Sequence, residues 1–285
     1  MKEKNKVQDG TLYLVGTPIG NLSDISERAI KVLTEADFIA AEDTRNSAKL
    51  MMALGIKKEL VSYHEHNKRQ SGEKIVARLL SGESCALVTD AGMPAISDPG
   101  EDIVKLCADA GITVSVIPGP CAAISALALS ALSTRRFAFE GFLPVAKGER
   151  RKVLSSVAKE ERTLIFYEAP HKLRQTLADM EEAFGADRKI SLCRELTKLN
   201  EEVERLTLSE ANRIYSEKEP RGEYVLIIEG ASPSEAGGEN ELLSLSPEEH
   251  VQRYIDGGLG RMDAIKAAAK DRGMPKSELY KILNS

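Results

Sequence analysis

The stretch TLYLVGTPIGNLSDISERAIKVLTEADFIAAEDTR (Thr11–Arg45) contains two short apolar runs, each followed by polar residues and then by a helical pattern. The runs TLYLV and DFIAA predict β-strands, and SDISERAIKVLTEA predicts a helix that Ser23 or Asp24 caps. The same alternation continues to about residue 132, with strands ELVSY, SCALVT and TVSVI and helices NSAKLMMAL, EKIVARLL, EDIVKLCADA and CAAISALALSAL. Five strands that alternate with five helices predict an α/β fold whose mostly parallel sheet is covered on both faces.

A second α/β unit follows the first. Its predicted strands are FAFEGF, TLIFYE, KISLCREL and EYVLIIE, and its predicted helices are RKVLSSVAK and HKLRQTLADMEEAF, while NEEVERLTLSEANRIYSEK fits either element. The run ASPSEAGGENELLSLS is rich in Ser, Gly and Glu, which is typical of a linker. We therefore predict a disordered N-terminus over residues 1–10, domains over 11–120 and 121–230, a linker over 231–246 and a small helical domain over 247–285.

The charge balance limits the kinds of partner that the protein can have. The 39 Lys and Arg residues face 44 Asp and Glu residues, which gives a formal net charge of −5. This balance excludes a surface that is basic all over, so an RNA partner would need local basic patches. The four cysteines have no CxxC spacing, which predicts reduced thiols in a cytoplasmic protein. No apolar run reaches the roughly 18 residues of a membrane span, and no signal peptide is expected.

The loops that follow the five predicted strands have an unusual composition. Ligands of open parallel sheets bind beyond the carboxyl ends of the strands, where these loops meet. The loops are GTPIGN (16–21), EDTR (42–45), HEHN (64–67), DAGMPAISDPG (90–100) and PGPCA (118–122). The fourth is longer than the usual two to six or so residues of such a connection. We refer to them as the first to fifth loops, and their convergence predicts a binding site.

Three of these loops also allow a purely structural interpretation. The first loop lacks the GxGxxG and Gly-Lys-Ser/Thr patterns, so it predicts neither a dinucleotide nor a P-loop nucleotide. The EDTR segment could simply begin a helix, with Asp43 or Thr44 as the cap and Arg45 paired with a carboxylate. His64 and His66 would lie on one face of an extended segment, as in some metal sites, but no third ligand follows at a recognisable spacing, and we predict no metal.

Nine segments together resemble the ribosomal RNA small subunit methyltransferase I family of the tetrapyrrole-methylase superfamily. They are GTLYLVGTPIGNL, AAEDTR, HEHN, VTDAGMPAISDPG, VIPGPCA, GFLP, FYEAPHKL, CRELTK and the RGEY before VLIIEG, in the family's order over residues 10–230. The long fourth loop and EDTR are the most specific. Departures are mild, at Met93, Ala95, Cys121, Ala169 and Lys172, and none removes a charge.

The resemblance implies a fold and an activity. The fold would be two tandem αβα domains of the tetrapyrrole-methylase (class III methyltransferase) type, with S-adenosylmethionine in the cleft between them and a short helical domain at the C-terminus. The chain would form a homodimer. The activity would be 2′-O-methylation of a decoding-centre cytidine in 16S rRNA, with the small ribosomal subunit as the substrate.

Methyl transfer requires alignment of donor and acceptor and a group that takes the ribose proton. For the base we favour Glu42 or Asp43, with Arg45 on a phosphate, and His66 is the alternative because its unperturbed pKa of about 6.5 lies near working pH. We expect Asp90 and Asp98 to orient the fourth loop or to face the sulfonium. The expected cofactor contacts are Thr17, Pro18, Asp90, Gly92, Met93, Ile96, Cys121 and Ala122, with Tyr167 and Glu168 closing from the second domain.

Basic clusters offer RNA contacts, although each could equally be a solvated face. They are Arg135 with Arg136, then Lys147 with Arg150, Arg151 and Lys152, and in the tail Arg253, Arg261, Lys266, Lys270, Arg272 and Lys276.

Three other functions stay open: a tetrapyrrole methylase, a metal-dependent hydrolase built on His64, His66 and Asp90, and a non-enzymatic RNA-binding protein. The identity of the base and the role of the tail in RNA contact also stay open.

Overall fold

The computed structural model describes residues 6–232, 243 and 245–283. Its strands are β1 (Thr11–Val15), β2 (Phe38–Ala41), β3 (Glu59–Ser62), β4 (Cys85–Val88), β5 (Thr113–Ile117), β6 (Phe137–Phe142), β7 (Thr163–Glu168), β8 (Lys189–Arg194), β9 (Glu202–Thr207) and β10 (Tyr224–Ile228). Its helices are α1 (Glu27–Glu35), α2 (Thr44–Ala53), α3 (Lys68–Leu80), α4 (Gly100–Asp109), α5 (Ala122–Leu129), α6 (Lys147–Val157), α7 (Pro170–Phe184), α8 (Leu208–Glu217), α9 (Pro247–Asp256), α10 (Arg261–Asp271) and α11 (Lys276–Ile282).

The first sheet has the strand order β3-β2-β4-β1-β5, and every pair in it is parallel. Alternate strand residues face opposite sides. Val15 and Ile39 pack with Leu33 of α1, whereas Leu12 and Leu87 pack with the helices on the other face. The predicted parallel sheet covered on both faces is therefore confirmed.

Strands β1 and β4 are neighbours in this sheet, and the connections that leave them run in opposite directions across it, to β2 and to β5. From β1 the chain passes through α1, which covers one face, and from β4 it passes through α4, which covers the other. The first and fourth loops therefore leave adjacent strands toward opposite faces. This arrangement opens a crevice at the carboxyl edge of the sheet, where α/β proteins bind ligands.

The second sheet has the order β6-β7-β10-β8-β9 and is mixed. Only β6 and β7 pair in parallel, while β10 is antiparallel to β7 and β8, and β9 is antiparallel to β8. One face packs against α6, α7 and α8. The other packs against Ala123, Ala126 and Leu127 of α5, the helix that directly follows the first sheet. Helix α5 therefore joins the two sheets.

Several elements begin at residues other than those predicted; α6, for example, begins at Lys147, four residues before the predicted start. Helix α1 begins at Glu27 and not after Ser23, because Leu22–Asp24 forms a separate 3₁₀ turn and the Ser26 hydroxyl accepts from the Ala29 amide at 3.1 Å. Helix α3 begins five residues earlier than predicted, at Lys68. The ambiguous segment divides at Thr207 into β9 and α8, because Thr207 forms a capping box with the third helical residue.

The two ends of the chain differ from the predicted outline. Residues 1–5, most of the predicted linker (233–242 and 244) and the last two residues of the predicted helical domain, 284 and 285, lie outside the described residues. Residues 6–10 are not disordered as predicted: Val7 packs on the first core and the Gln8 amide donates to the Tyr13 hydroxyl at 2.8 Å. Helices α9, α10 and α11 share a core of their own. In the part of the chain described, no helix is long and apolar enough to cross a membrane.

Candidate active site

The first, fourth and fifth loops contact one another at the carboxyl edge of the first sheet. Thr17 and Gly92 exchange both backbone hydrogen bonds, at 2.9 and 3.1 Å, as a short antiparallel bridge between the first and fourth loops. A Cβ on Gly16 would lie 2.7 Å from the Cα of Gly119 in the fifth loop. Such an approach is possible only without side chains, so glycine is required there.

The fourth loop is held by side chains on both sides of it. One carboxylate oxygen of Asp98 accepts from the Ala95 amide at 2.9 Å and from the Gly100 amide at 2.7 Å. The buried Tyr63 hydroxyl, just beyond β3, donates to the Pro99 carbonyl at 3.0 Å. Asp98 therefore orients the loop, as expected. Its other oxygen is buried and has no hydrogen-bond partner among the described residues, so an acceptor is left over for a ligand.

Backbone strain accompanies this arrangement. Ala95 (φ 67°) and Ser97 (φ 61°) adopt the left-handed conformation that non-glycine residues rarely take. Such strain persists where the surrounding structure enforces it, often at functional sites. Gly92 also has a positive φ of 87°, so a larger residue there would distort the turn. A loss of ligand affinity in such a variant would reflect that distortion as well as any filled pocket.

We call the contacting first, fourth and fifth loops the loop cluster. The expected cofactor residues that follow strands of the first sheet lie in it, but they differ in accessibility. The Thr17 side chain is 1% exposed, and its hydroxyl lies 3.4 Å from the Thr89 and Gly92 carbonyls. Thr17 therefore forms the floor of the loop cluster. Pro18 and Met93 are half-buried and Ile96 is exposed. Cys121, the N-cap of α5, and Ala122, its first residue, are also half-buried.

The second unit reaches the loops through β6 and β7. The Tyr167 hydroxyl accepts from the Ala123 amide at 3.2 Å, and a Cβ on Gly141 would lie 3.0 Å from the Ser97 hydroxyl oxygen. We call the surface around Ser97, Ala123, Gly141 and Tyr167 the seam. Burial raises the pKa of Tyr167. Tyr167 therefore lies between the two units, where the cofactor cleft was expected.

Glu168 is turned away from the seam. Its side chain is 4% exposed, one carboxylate oxygen accepts from the Ala169 amide at 2.8 Å, and the other accepts from the Thr176 hydroxyl at 2.5 Å. These bonds hold the carboxylate against the first turns of α7. This geometry does not support the prediction that Glu168 closes over a cofactor.

Within EDTR, Asp43 has the structural role that the sequence left open. Its carboxylate accepts from the Arg45 amide at 2.8 Å and from the Arg45 guanidinium at 2.6 and 3.0 Å, which caps α2. The hydrogen bonds from the Arg45 side chain and backbone hold the pKa of Asp43 well below its usual range. A carboxylate that is so reluctant to bind a proton is a poor general base.

Glu42 has a different environment from its neighbour. It is half-buried, and one of its oxygens accepts from the Thr89 hydroxyl at 2.8 Å, directly before the fourth loop. No Lys or Arg in the described part of the chain pairs with it. Nearby, the Asn46 side chain donates to Asp90 at 3.1 Å and ties α2 to the fourth loop. Glu42 is thus the unneutralised carboxylate of EDTR beside the loop cluster.

The two histidines of the third loop lie in a turn and not in the extended segment that was predicted. The Asn67 side chain accepts from the His64 amide at 2.8 Å, and the Asn67 amide donates back to the His64 carbonyl at 3.0 Å. The ring centroids of His64 and His66 are 5.9 Å apart, and His66 is exposed. Among the described residues, no group of three or more His, Cys, Asp or Glu side chains could hold a metal ion.

The loop after β8 also belongs to this region, although no role was predicted for it. A Cβ on Gly20 would collide with the Lys198 side chain, which brings the first loop against residues 195–198. Glu195 (φ 52°) and Thr197 (φ 65°) are left-handed, and the Thr197 hydroxyl is buried without a partner among the described residues. The CRELTK motif was the only sequence signal for it, because neither residue type indicates a left-handed backbone.

Two of the proposed RNA-contact arginines have partners within the protein, and for the buried Arg150 the prediction is wrong. Arg150 is 3% exposed and donates to Asp179 at 2.6 and 2.8 Å and to the Val145 carbonyl at 3.0 Å. Arg272 is half-buried and donates to the His250 ring at 3.0 Å. Arg150 is therefore structural, because charged groups are buried only with partners. The other basic side chains of the tail cluster are exposed.

Comparison with known proteins agrees with this architecture. Residues 11–212 match the family model of the Tetrapyrrole (Corrin/Porphyrin) Methylases. A crystal structure of uroporphyrin-III-C-methyltransferase from Thermus thermophilus superposes with a TM-score of 0.52 at 22% identity, covering 81% of this chain and 98% of that one. A second structure, of the native form of the Thermus thermophilus uroporphyrin III C-methyltransferase, gives 0.55 at 18%, covering 77% and 97%. The fold is that of the tetrapyrrole methylases.

Sequence relatives narrow the class further. Proteins named ribosomal RNA small subunit methyltransferase I are similar to this chain at 50% identity in Halalkalibacterium halodurans (96% of this chain, 94% of the relative) and 48% in Bacillus subtilis (98% and 96%). The Escherichia coli O157:H7 protein of that name is 42% identical, over 95% and 94%. The chain belongs to the ribosomal RNA small subunit methyltransferase I family.

Proposed function

We propose that this protein transfers a methyl group from S-adenosylmethionine to the ribose 2′-hydroxyl of a decoding-centre cytidine in 16S rRNA, with the small ribosomal subunit as its substrate. The observation that carries the proposal is the contact between the first, fourth and fifth loops, with Glu42 beside them. The relatives named as ribosomal RNA methyltransferases support the choice of acceptor.

The residues of the loop cluster fit S-adenosylmethionine. Its adenosine needs an apolar wall with close backbone, which Met93, Ile96 and Ala122 could provide around the glycine contacts. Its ammonium group needs hydrogen-bond acceptors, and its sulfonium needs negatively charged oxygens nearby. Asp98 has a buried oxygen without a partner among the described residues, and the exposed Asp90 lies at the start of the same loop. When bound, the cofactor supplies a methyl group activated by a positively charged sulfur.

The protein's own groups then have two tasks. The loop cluster and the seam align the acceptor hydroxyl, and correct alignment alone can contribute about 7–11 kcal/mol. Glu42 takes the proton of the ribose hydroxyl, and the Thr89 hydroxyl holds the Glu42 carboxylate in position. Arg45 is 85% exposed, its guanidinium is held on one side by Asp43, and its free side binds a phosphate of the RNA.

A comparison of acceptors tests this proposal. Wild-type protein with methyl-labelled S-adenosylmethionine should label purified small ribosomal subunits that lack the modification, and should not label a uroporphyrinoid. Labelling of the uroporphyrinoid alone would make the protein a small-molecule methylase. No transfer to either acceptor would favour a hydrolase or a non-enzymatic RNA-binding protein.

The cofactor assignment predicts an effect at Ala122. Ala122→Leu adds bulk at a half-buried helix position that tolerates Leu without backbone strain, so affinity for S-adenosylmethionine should fall about tenfold, since overpacking costs about 1–3 kcal/mol. Titration calorimetry measures this change. Ala128→Leu, on an exposed position of the same helix, is the control and should bind normally. Normal binding in both variants would place the cofactor elsewhere.

The tail predicts an effect on substrate binding. A chain lacking residues 247–285 should bind S-adenosylmethionine normally but bind small subunits more weakly, with a shallower salt dependence. Each lost phosphate contact lowers the slope of log K against log salt by about 0.7–0.9. The double variant Lys266→Ala and Lys270→Ala should show part of this loss. The double variant Lys266→Arg and Lys270→Arg, which keeps both charges, should not. Equal slopes for truncated and full-length protein would exclude the tail as an RNA contact.

We also propose a cytoplasmic homodimer, as the family resemblance implies. Val116 on the edge strand β5 and Ile124 on α5 are each 49% exposed, and we expect a second copy to cover them. Light scattering distinguishes the 31.1 kDa monomer from a particle of about twice that mass.

A further inference from the structure

The phenyl ring of Phe142 is exposed at the seam. This side chain is 58% exposed at the last residue of β6, although Phe is usually buried in folded proteins. It is not isolated, because its ring centroid lies 5.4 Å from that of Tyr167, which in turn lies 5.0 Å from that of Phe139. Three aromatic rings therefore form one surface whose outer member faces solvent.

A β-bulge directs Phe142 to this surface. In the register of β6 and β7, Phe139 pairs with Ile165 and Phe142 pairs with Tyr167, so one extra residue is accommodated in β6. Phe139 and Phe142 are three residues apart and would face opposite sides of a regular strand. The bulge lies between Phe139 and Gly141, whose φ is 66°, and brings both rings onto the face of Tyr167. Bulges next to active sites commonly re-aim a side chain in this way.

The same turn fixes Phe142 against the candidate active site. Gly141 contacts Ser97 of the fourth loop, and Tyr167 binds the start of α5 after the fifth loop. The segment after Phe142 is anchored by Arg150, which donates to the Val145 carbonyl and is itself held by Asp179. An exposed ring on a fixed backbone beside the loop cluster is preorganised for a ligand.

We propose that Phe142, supported by Tyr167, is the surface on which the base of the acceptor nucleotide stacks. This inference rests on the proposed function. A ribose hydroxyl in structured RNA reaches an enclosed site only if its nucleotide is splayed out, and proteins hold unstacked bases on aromatic side chains. Loss of one stacked base commonly weakens binding by about tenfold or more.

Substitutions at Phe142 test the inference through single-turnover methylation of unmethylated small subunits at varied subunit concentration. Phe142→Leu and Phe142→Ala should raise the subunit concentration required by about tenfold or more, whereas Phe142→Tyr should remain close to wild type. Affinity for S-adenosylmethionine should not change in any of them. Phe137→Leu, 39% exposed at the other end of the same strand, is the matched control and should behave as wild type.

Four results would overturn the inference while wild-type protein remains active. They are wild-type behaviour of Phe142→Leu, equal impairment of Phe142→Tyr and Phe142→Leu, loss of S-adenosylmethionine affinity in Phe142→Leu, and a changed oligomeric state in Phe142→Leu. The third would make the ring a wall of the cofactor site, and the fourth would make it a contact between copies. Failure of the wild-type protein to methylate small subunits would instead overturn the proposed function together with this inference.

Discussion

Glu42→Gln should lower the single-turnover rate of methyl transfer to small subunits by about 100-fold, within the range of about 10²–10⁴ that a positioned base contributes. The amide keeps the shape of the side chain and can still accept from Thr89, but it cannot take the ribose proton. Affinities for S-adenosylmethionine and for small subunits should therefore stay at wild-type levels, because a base acts in the transition state. Rapid-quench measurement at saturating S-adenosylmethionine gives the rate.

Asp43→Asn is the matched control for this prediction. Asn caps a helix about as well as Asp, so α2 should keep its start. The lowered pKa of Asp43 argues that no proton acceptor is lost, and the rate should change by less than about threefold. A wild-type rate in Glu42→Gln would contradict the assignment and move the base to His66 or leave the reaction to alignment. A larger loss in Asp43→Asn would make Asp43 the base.

Asp179→Ala should reduce the free energy of unfolding by about 3–5 kcal/mol, because it leaves Arg150 as a buried charge without its counterion. Asp179 is 4% exposed and Arg150 is 3% exposed, so solvent cannot replace the lost partner. Urea unfolding followed by circular dichroism measures the change. A loss below about 1 kcal/mol would show that the pair does not stabilise the second unit as its geometry implies.

Two comparisons separate the buried pair from its exposed neighbour. Arg151→Ala also removes a bond to Asp179, but Arg151 is 41% exposed and the loss should stay below about 1 kcal/mol. Burial raises the pKa of Asp179, but the hydrogen bonds from Arg150 and Arg151 outweigh it and lower the pKa overall. The stabilisation is therefore present above the unfolded pKa of Asp179 and is lost as pH falls through the folded value. The wild-type advantage over Asp179→Ala should shrink in acid.

Much of the fold could be predicted from the local pattern. The strands TVSVI, FAFEGF and TLIFYE agree residue for residue with β5, β6 and β7. The start of α1 could not be predicted, since Ser23 and Ser26 are equally good caps and the turn formed by Asn21 decides between them. The end of β9 was obscured because its side chains are half-buried and lack a clear alternation.

The candidate site could be predicted only where it depends on the position of a loop. The convergence of the loops follows from the parallel sheet, and the location of Tyr167 follows from the end of its strand. The orientation of single side chains depends on partners in other elements. Glu168 accepts from Thr176 on the next helix, and Arg150 donates to Asp179, 29 residues later. Residue type alone does not reveal such partners.

The position of the transferred methyl group tests the central claim most directly. Small subunits methylated by the wild-type protein with labelled S-adenosylmethionine are separated, and their 16S rRNA is hydrolysed with alkali. A 2′-O-methyl group blocks cleavage of the adjacent phosphodiester, so the proposal predicts that the label appears in a single alkali-resistant dinucleotide containing 2′-O-methylcytidine. Label in an alkali-sensitive mononucleotide, or in a methylated base, would contradict the account.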